Sequence, residues 1–588
     1  MAFAASASRI GSTRVSPWPE MLPADEQEGT NTMHATHLVI GGGSAGCVMA
    51  ARLSEAPGNN VVLIEAGRDY APDQTPEDIR DTYSGSALMN PAYFWKYLQV
   101  RRRADAAPVY YEQGRVLGGG SSVNGQVALR GAPEDYDHWN AIGAKGWDWN
   151  SVLPYFRRLE TDLDYTDQLH GAQGPITVRR MPMEQWDDFT LSVTKVWNEL
   201  GYPLRPDMNG EFGQGYSPLP LSNDGTVRRS AAVGYLDAST RRRPNLQIVG
   251  ETQVRKIMFD HGRASGAELR RNGAVETITA DNVVVSAGAL HTPWLLMLSG
   301  IGPGEHLRQH GIAVRLDRPG VGSNLMDHPA IHISGYLRRV ARHKMVVRRN
   351  YTYLRWSSGL AGVPEADMVM MAVCRSAWHA IGVRIGTLSS YIGRSYSTGE
   401  VQLASSDPDD EPYVDFNWLS DRRDLDRMVD AFRRMASILA SDPVPQFMSN
   451  LFASKFSQRV RNVSRKNFRN MVLTNMAALM MDSSASLRKY LFNKVISDSR
   501  PLPELLADPA ALERHVRDNV QSAWHASCTC RMGDPANAQT VVDPGGKVVG
   551  TQNLFISDAS VMPEVSRTNT NIPTIMIAER IAEMVRQR

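Results

Sequence analysis

His37-Leu38-Val39-Ile40-Gly41-Gly42-Gly43-Ser44-Ala45-Gly46 decides the fold of this chain. Its four opening residues are a short, mostly apolar strand, and the glycines that follow are a tight turn. Cys47 to Leu53 then reads as a helix, and Val61-Val62-Leu63-Ile64 as a second buried strand. Strand, turn, helix and strand make a βαβ unit, which builds a parallel sheet of the α/β class. The spacing Gly41-x-Gly43-x-x-Gly46 gives the turn a use. Gly41 permits the tight bend, Gly43 lets a pyrophosphate approach the backbone, and Gly46 lets helix and strand pack closely. The helix N-terminus then presents unpaired N–H groups to the phosphates. Glu65 ends the second strand about twenty residues on, where a carboxylate can accept hydrogen bonds from an adenosine ribose. An acid there also opposes a 2′-phosphate, and hence NADP.

Working outward, the same pattern recurs. A second glycine cluster runs Gly114-Arg115-Val116-Leu117-Gly118-Gly119-Gly120-Ser121-Ser122-Val123-Asn124-Gly125. Val283-Val284-Val285 is a buried strand running into Ser286-Ala287-Gly288. A helix is predicted over Thr292–Leu298, with Pro293 in its first turn and its end at Gly300-Ile301-Gly302-Pro303. Leu554-Phe555-Ile556 is a late strand, and an amphipathic helix from about Pro573 to Val585 closes the chain. Between residues 328 and 520, short strand-like runs alternate with helical stretches. They read as a second domain, a sheet plus helices that roofs the cofactor.

At about 150 residues per domain, 588 residues suggest four domains. No Ser/Gly-rich or Pro-rich tract follows residue 33, so two interleaved domains fit better. Apolar residues make up 42%, ample for a large core. The net charge of +2 argues against a nucleic-acid partner, and Arg101–Arg103 and Arg241–Arg243 read as solvated turns. Four cysteines are too few for a disulfide scaffold. Cys528-Thr529-Cys530 lacks zinc-type spacing, so no metal site is expected. No run approaches 18 apolar residues. Residues 1–33 lack the apolar core of a signal peptide and read as a disordered extension. Localisation is expected to be cytoplasmic.

Ser449 to Ile496 stands out, with nine Lys or Arg residues, one acid (Asp482), and Met471, Met476, Met480 and Met481. One reading is a helical hairpin with its apolar face on the domain and its basic face in water. The other is a surface element that docks to an anionic membrane or a partner. A serine hydrolase is not supported. Gly42-Gly43-Ser44-Ala45-Gly46 has the spelling of a nucleophile elbow, but its serine belongs to the phosphate turn.

With these motifs in order, the chain resembles the glucose–methanol–choline (GMC) family of flavin oxidoreductases from about residue 34 to 586. The likeness is carried by Gly114–Asn124, by Gly288-Ala289 with Pro293, Leu296 and Ser299–Gly302, and by Pro319–Leu325 with Asp327-His328-Pro329. It continues through Asp558-Ala559-Ser560-Val561-Met562-Pro563 and Asn569–Thr574. Ser527–Gly533 is similar to the choline dehydrogenase branch. Gln113–Asn124, Asp135-Tyr136-Asp137, Gly146–Trp149, His170-Gly171 and Trp524–Ser527 are similar to the 5-(hydroxymethyl)furfural oxidase branch, which is favoured.

The resemblance implies a Rossmann-like FAD-binding domain (34–159, 225–327 and 516–588). A substrate-binding domain of mixed or antiparallel sheet plus helices (160–224 and 328–515) is interleaved with it. It implies adenosine on Gly41, Gly43, Ser44, Ala45, Gly46, Glu65 and Ala66, with the Val254 backbone at the adenine. It places the flavin ring under Val116, Gly118, Gly119, Ser122, Asn124 and Gly125 and beside Asp558 and Ala559. Ala287, Gly288, Trp524, Asn571 and Pro573 complete the expected cofactor contacts. Some relatives hold the flavin covalently through a His where this chain has Val123, so non-covalent FAD is expected.

His525 is the expected general base and Asn569 the partner amide, with Asn571 the alternative, and Trp524 borders the substrate pocket. Arg130, His138 and His328 are expected to serve packing or salt bridges, and Cys528 and Cys530 packing alone. The implied reaction is oxidation of a primary aromatic, furanic or other small alcohol, with O₂ or an electron carrier as acceptor. A quinone-linked dehydrogenase is the first alternative, and a hydroxynitrile lyase or a photodecarboxylase on the same fold are others.

Overall fold

The computed structural model describes residues 33–342, 348–492, 496–497 and 500–587. The extension expected over residues 1–33 lies outside the described residues except for Met33.

A seven-stranded sheet carries the glycine turn. Its order is Leu246–Val249, Val61–Ile64, His34–Ile40, Ala274–Val285, Arg263–Arg271 and Thr252–Asp260, with Leu554–Ile556 beside Ala274–Val285. The core of the sheet is parallel: Leu38 stands opposite Val62 on one side and Val283 on the other, and Val283 opposite Leu554. Both faces are covered, which is why these strands read as unbroken apolar runs rather than alternating ones. The helix Ser44–Leu53 leaves the turn and packs on the last helix, Asn571–Arg586. Arg52 holds the buried Glu579 through three hydrogen bonds (3.1, 2.9 and 2.7 Å), and the Tyr235 hydroxyl donates to the same carboxylate at 2.6 Å. The end of the chain is thereby fixed against its beginning.

The helix expected over Thr292–Leu298 begins earlier, at Gly288, so Pro293 stands inside it. A carboxylate 270 residues downstream explains the difference: Asp558 accepts from the Gly288 amide (2.8 Å) and the Thr292 hydroxyl (2.6 Å), capping the helix from outside. Pro293 has no N–H for the Ala289 carbonyl, and the Thr529 hydroxyl donates to it instead at 2.6 Å.

The second sheet is antiparallel. Its order is Met448–Ser454, Pro329–Leu337, Ile385–Ile392, Met368–Val373, Asn350–Trp356 and Gly215–Pro218, with Gln521–Ser522 beside Pro329–Leu337. Alternation divides its faces. Ile331, Ile333, Leu388, Met370 and Leu354 join the core with Leu425, Met428, Phe432, Met435 and Leu439, one stripe of the helix Arg422–Ala440. His332, Ser389 and Met371, in register across three strands, face the opposite way, into a cavity.

Two surface expectations are corrected. Arg241 pairs with Asp69 (2.7 Å), Arg243 donates to the Ala51 carbonyl (2.6 Å), and Arg102 donates to that of Val520 (2.8 Å), so these clusters tie segments together rather than line solvated turns. Ser449–Ile496 is no helical hairpin with a covered apolar face. It opens in the strand Met448–Ser454 and continues in the helices Gln458–Ser464, Phe468–Ser483 and Ala485–Leu491. In the longest of these only Thr474, Ala478 and Met481 are buried, while Phe468 is 76% and Leu479 68% exposed. The small residues face the protein because its apolar side chains extend round more than one face of the helix.

Candidate active site

A cavity of about 710 Å³ lies between the two sheets. At one end its wall is the glycine turn. A Cβ on Gly41 (φ +97°) would lie 2.5 Å from the Ser286 carbonyl oxygen, and one on Gly46 1.8 Å from that of Gly41. Gly46 therefore serves helix–strand packing and stands behind the wall. A Cβ on Gly43 would have only the Ser286 oxygen near it, at 3.9 Å, so room is left for a ligand. Gly43 and Thr570, which precede the helices Ser44–Leu53 and Asn571–Arg586, provide no side-chain cap. Two helix N-termini thus meet at the cavity, joined by the Ser44 hydroxyl donating to Asn571 Oδ1 (2.8 Å). Uncapped first-turn amides with room before them suit a pyrophosphate. Glu65, buried, accepts from the Gly42 and Gly67 amides (2.8 and 2.6 Å), and each oxygen keeps a second lone pair. Burial raises its pKa.

Of the residues expected around the cofactor, Gly41, Gly43, Ser44, Ala45, Glu65, Ala66, Gly119, Asn124, Gly125, Val254, Ala287, Gly288, Trp524, Asp558, Ala559 and Asn571 line the cavity. Val116, Gly118, Ser122 and Pro573 lie off its wall. Val116 packs among Ile79, Tyr93 and Phe94, the Gly118 amide bonds the Gly42 carbonyl (2.7 Å), and the Ser122 hydroxyl bonds that of Leu117 (2.8 Å). Cys528 and Cys530 are buried away from the cavity, and burial pushes both thiols up.

At the other end stands His525. Its backbone N–H donates to Asp327 Oδ1 (2.9 Å), its Nδ1 is 2.8 Å from Nδ1 of His328, and its Nε2 is 3.0 Å from Nδ2 of Asn569. An amide NH₂ can only donate, so Nε2 of His525 is the acceptor and its proton sits on Nδ1, donated to His328. The lone pair at Nε2 is the basic site. Burial, then the neighbouring His328, holds His525 well below the usual imidazole value, and burial takes His328 to about 4. The pair is neutral and able to accept a proton. Trp524 (φ +62°) and Cys528 (φ +75°) flank this loop in the left-handed region, which costs on the order of 1–3 kcal/mol each. The loop is held by the Trp524 indole donating to Glu112 (3.1 Å), by Ser527 paired with Met326, and by the Cys528 amide on the Ala559 carbonyl (3.1 Å).

His328, expected to serve packing or a salt bridge, holds the His525 ring through Nδ1, and its signal was its place in the block Asp327-His328-Pro329. Arg130 pairs with buried Glu160, and His138 lies 3.2 Å from Glu564, as salt-bridge residues. Glu160 and Asp162 also converge on His170, close enough to hold a cation, but Arg130, Arg180 and the imidazole already occupy their oxygens.

Residues 35–330 and 395–578 match the two models of the GMC oxidoreductase family. The chain belongs to this family. It is 38% identical to the 5-(hydroxymethyl)furfural oxidase of Methylovorus sp. (strain MP688), over 93% of this chain and 98% of that one. It is 30% identical to the mitochondrial choline dehydrogenase of Homo sapiens, over 94% and 89%. Among solved structures, pyridoxine 4-oxidase from Mesorbium loti superposes with a TM-score of 0.77 at 24% identity, covering 94% of this chain and 99% of that one. The GMC chain is an FAD-dependent alcohol oxidoreductase, and the two uncapped helix ends, Gly43 and Glu65 fit that cofactor's pyrophosphate and ribose. Among the described residues no helix is long and apolar enough to cross a membrane.

Proposed function

We propose that the protein oxidises the primary alcohol of an aromatic, furanic or other small substrate to the aldehyde and passes the electrons to O₂. The carrying observation is the His525 ring at the cavity, with Nε2 3.0 Å from the Asn569 amide nitrogen and Nδ1 2.8 Å from His328, an arrangement that leaves Nε2 as the basic site. In this reading His525 takes the hydroxyl proton at Nε2. Asn569 turns its amide to the substrate oxygen and stabilises the developing alkoxide without competing for the proton. The bound FAD, held non-covalently, supplies the hydride acceptor. Trp524 and Tyr391 bound the reacting end and exclude water. Residues 34–159, 225–327 and 516–588 form the cofactor-binding domain, and 160–224 with 328–515 the substrate-binding domain.

The test is anaerobic mixing of the yellow holoenzyme with benzylic, furanic, aliphatic and amino alcohols, followed by air. Bleaching by a benzylic or furanic alcohol, then recovery with peroxide formation, is expected. No bleaching with any alcohol would favour the lyase and overturn the proposal.

A second reading concerns the acceptor. The outward Phe468, Leu473, Met476 and Leu479, beside Arg459, Arg465, Lys466 and Arg469, suit contact with an anionic membrane surface from the cytoplasmic side. A quinone-linked dehydrogenase would use such contact. Flotation with anionic liposomes at low salt, and loss of flotation in Leu479→Glu, are expected of it, and bleached enzyme that stays bleached in air would favour it over the oxidase.

A further inference from the structure

The cavity continues past His525 and Asn569 to a wall built by the antiparallel sheet. Tyr353, Met371, Val373 and Tyr391 make its middle apolar and flat. Beyond them stands Arg349, immediately before the strand Asn350–Trp356, where its carbonyl accepts from the Cys374 amide (3.0 Å). Its side chain is half-buried and lines the cavity. Among the described residues, no hydrogen bond or ion pair reaches its guanidinium.

The acids of the wall have partners, Lys455 is engaged, and Arg459 is exposed. Glu112 is bound by Arg461, while Glu65 and Asp558 are bonded at the cofactor end. Asn350, next in the chain, is buried with its side chain against Tyr353. His332 also lines the cavity, its Nδ1 2.7 Å from the Ser389 hydroxyl, and burial together with Arg349 holds it neutral. Tyr353 stands between the two ends, its hydroxyl beside Asn569 and within the field of Arg349.

A guanidinium that lines a cavity and has no carboxylate of the protein bonded to it is a receptor for an anion. The wall between it and His525 takes a flat apolar body. We infer that Arg349 binds a carboxylate carried at the far end of the alcohol, so that the preferred substrates are hydroxymethyl-arene or hydroxymethyl-furan carboxylates. The same arrangement disfavours quaternary ammonium alcohols, which would meet an unpaired cation at that end, while the acids of the wall are already bonded to protein groups. This specificity rests on the reading of the cavity as an alcohol-oxidising site.

Two arms separate the failure of one from the failure of the other. In the first, the holoenzyme is titrated with 4-methylbenzoate and with 4-methylbenzamide, neither of which carries an alcohol, and the flavin absorbance is read. The carboxylate is expected to bind roughly tenfold or more tightly than the amide. Arg349→Met and Arg349→Gln should erase that preference, and Arg349→Lys keep part of it. In the second, kcat/KM is compared for 4-(hydroxymethyl)benzoate and 4-(hydroxymethyl)benzamide, and the ratio should fall at least tenfold in Arg349→Met. Should Arg349→Met fail to retain flavin, the Lys and Gln variants carry the comparison. Equal binding of the two titrants by the native enzyme, or a preference that survives loss of Arg349 or is the same in Lys and Gln, overturns the inference. Arg349-dependent carboxylate binding without flavin reduction by either alcohol would overturn the oxidation and leave the anion receptor standing.

Discussion

The two ends of the cavity are made in opposite ways. The adenosine end is mostly local: one strand, one turn and one helix within twenty residues carry Gly41, Gly43 and Gly46, with a side chain barred at Gly46 by the Gly41 carbonyl oxygen of the turn itself and at Gly41 by the backbone of Ser286. The reacting end is assembled from afar. His525 receives its backbone anchor from Asp327 and its relay from His328, and the opposing wall comes from strands that carry His332, Tyr353, Met371 and Ser389. A local end tolerates little change because its constraints are backbone atoms. A dispersed end can exchange single side chains, and specificity resides there.

The largest expected effect tests the first half of that contrast. Gly46→Val places carbon where the Gly41 carbonyl oxygen already lies, and backbone cannot step aside as a side chain would. The variant should purify colourless or not fold. Full flavin content, measured by absorbance after gel filtration, would show that the turn can be rebuilt.

His525→Ala changes only a side chain at the dispersed end. It should keep its flavin and lose about 10²–10⁴ in the rate of anaerobic flavin reduction, the range for a general base. An unchanged rate would remove His525 from the chemistry. The pH profile adds a sign. The base works when neutral, and its pKa lies well below the usual 6.5. The rate should therefore be flat above pH 6.5 and fall only on the acid side. Stability follows the same direction. Between pH 6.5 and about 4 the unfolded chain takes up protons that the buried His525, His328 and His332 refuse, so stability is full above 6.5 and declines as pH falls.

His328→Leu sharpens this further. It removes the acceptor of the His525 Nδ1–H, a bond that a protonated ring would strengthen, and adds apolar surface, so the acid limb should move to lower pH while flavin remains bound. A purely structural His328 would lower stability and leave the limb in place.

The contrast also explains what could be read from the chain alone. The βαβ unit, the late strand Leu554–Ile556 and the residues of the phosphate turn were legible because each is signalled by its own neighbours. The start of the helix at Gly288 was not, since its cap is Asp558. Nor was the role of His328, which depends on a ring 197 residues away. The outward face of Phe468–Ser483 was hidden for a different reason. Its apolar side chains surround the helix, so periodicity does not say which stripe packs, and the small Thr474 and Ala478 settle it by close approach.

The smallest effect lies where both ends meet. Thr529 is the residue whose hydroxyl serves the Ala289 carbonyl that Pro293 leaves open. Thr529→Val keeps the shape and removes the donor, so a buried carbonyl loses its partner, at a cost of about 1–3 kcal/mol. The melting temperature of the holoenzyme should fall by a few degrees, with kinetics nearly intact. Thr529→Ser retains the hydroxyl and should recover most of the loss. If Val and Ser variants melt together, the carbonyl has found another donor and the helix does not depend on the Cys528–Cys530 segment. If they separate, the helix that borders the cofactor is held at its start by Asp558 and over its proline by Thr529, two residues of the last seventy. The dispersed half of the molecule would then support the local half as well as complete the site.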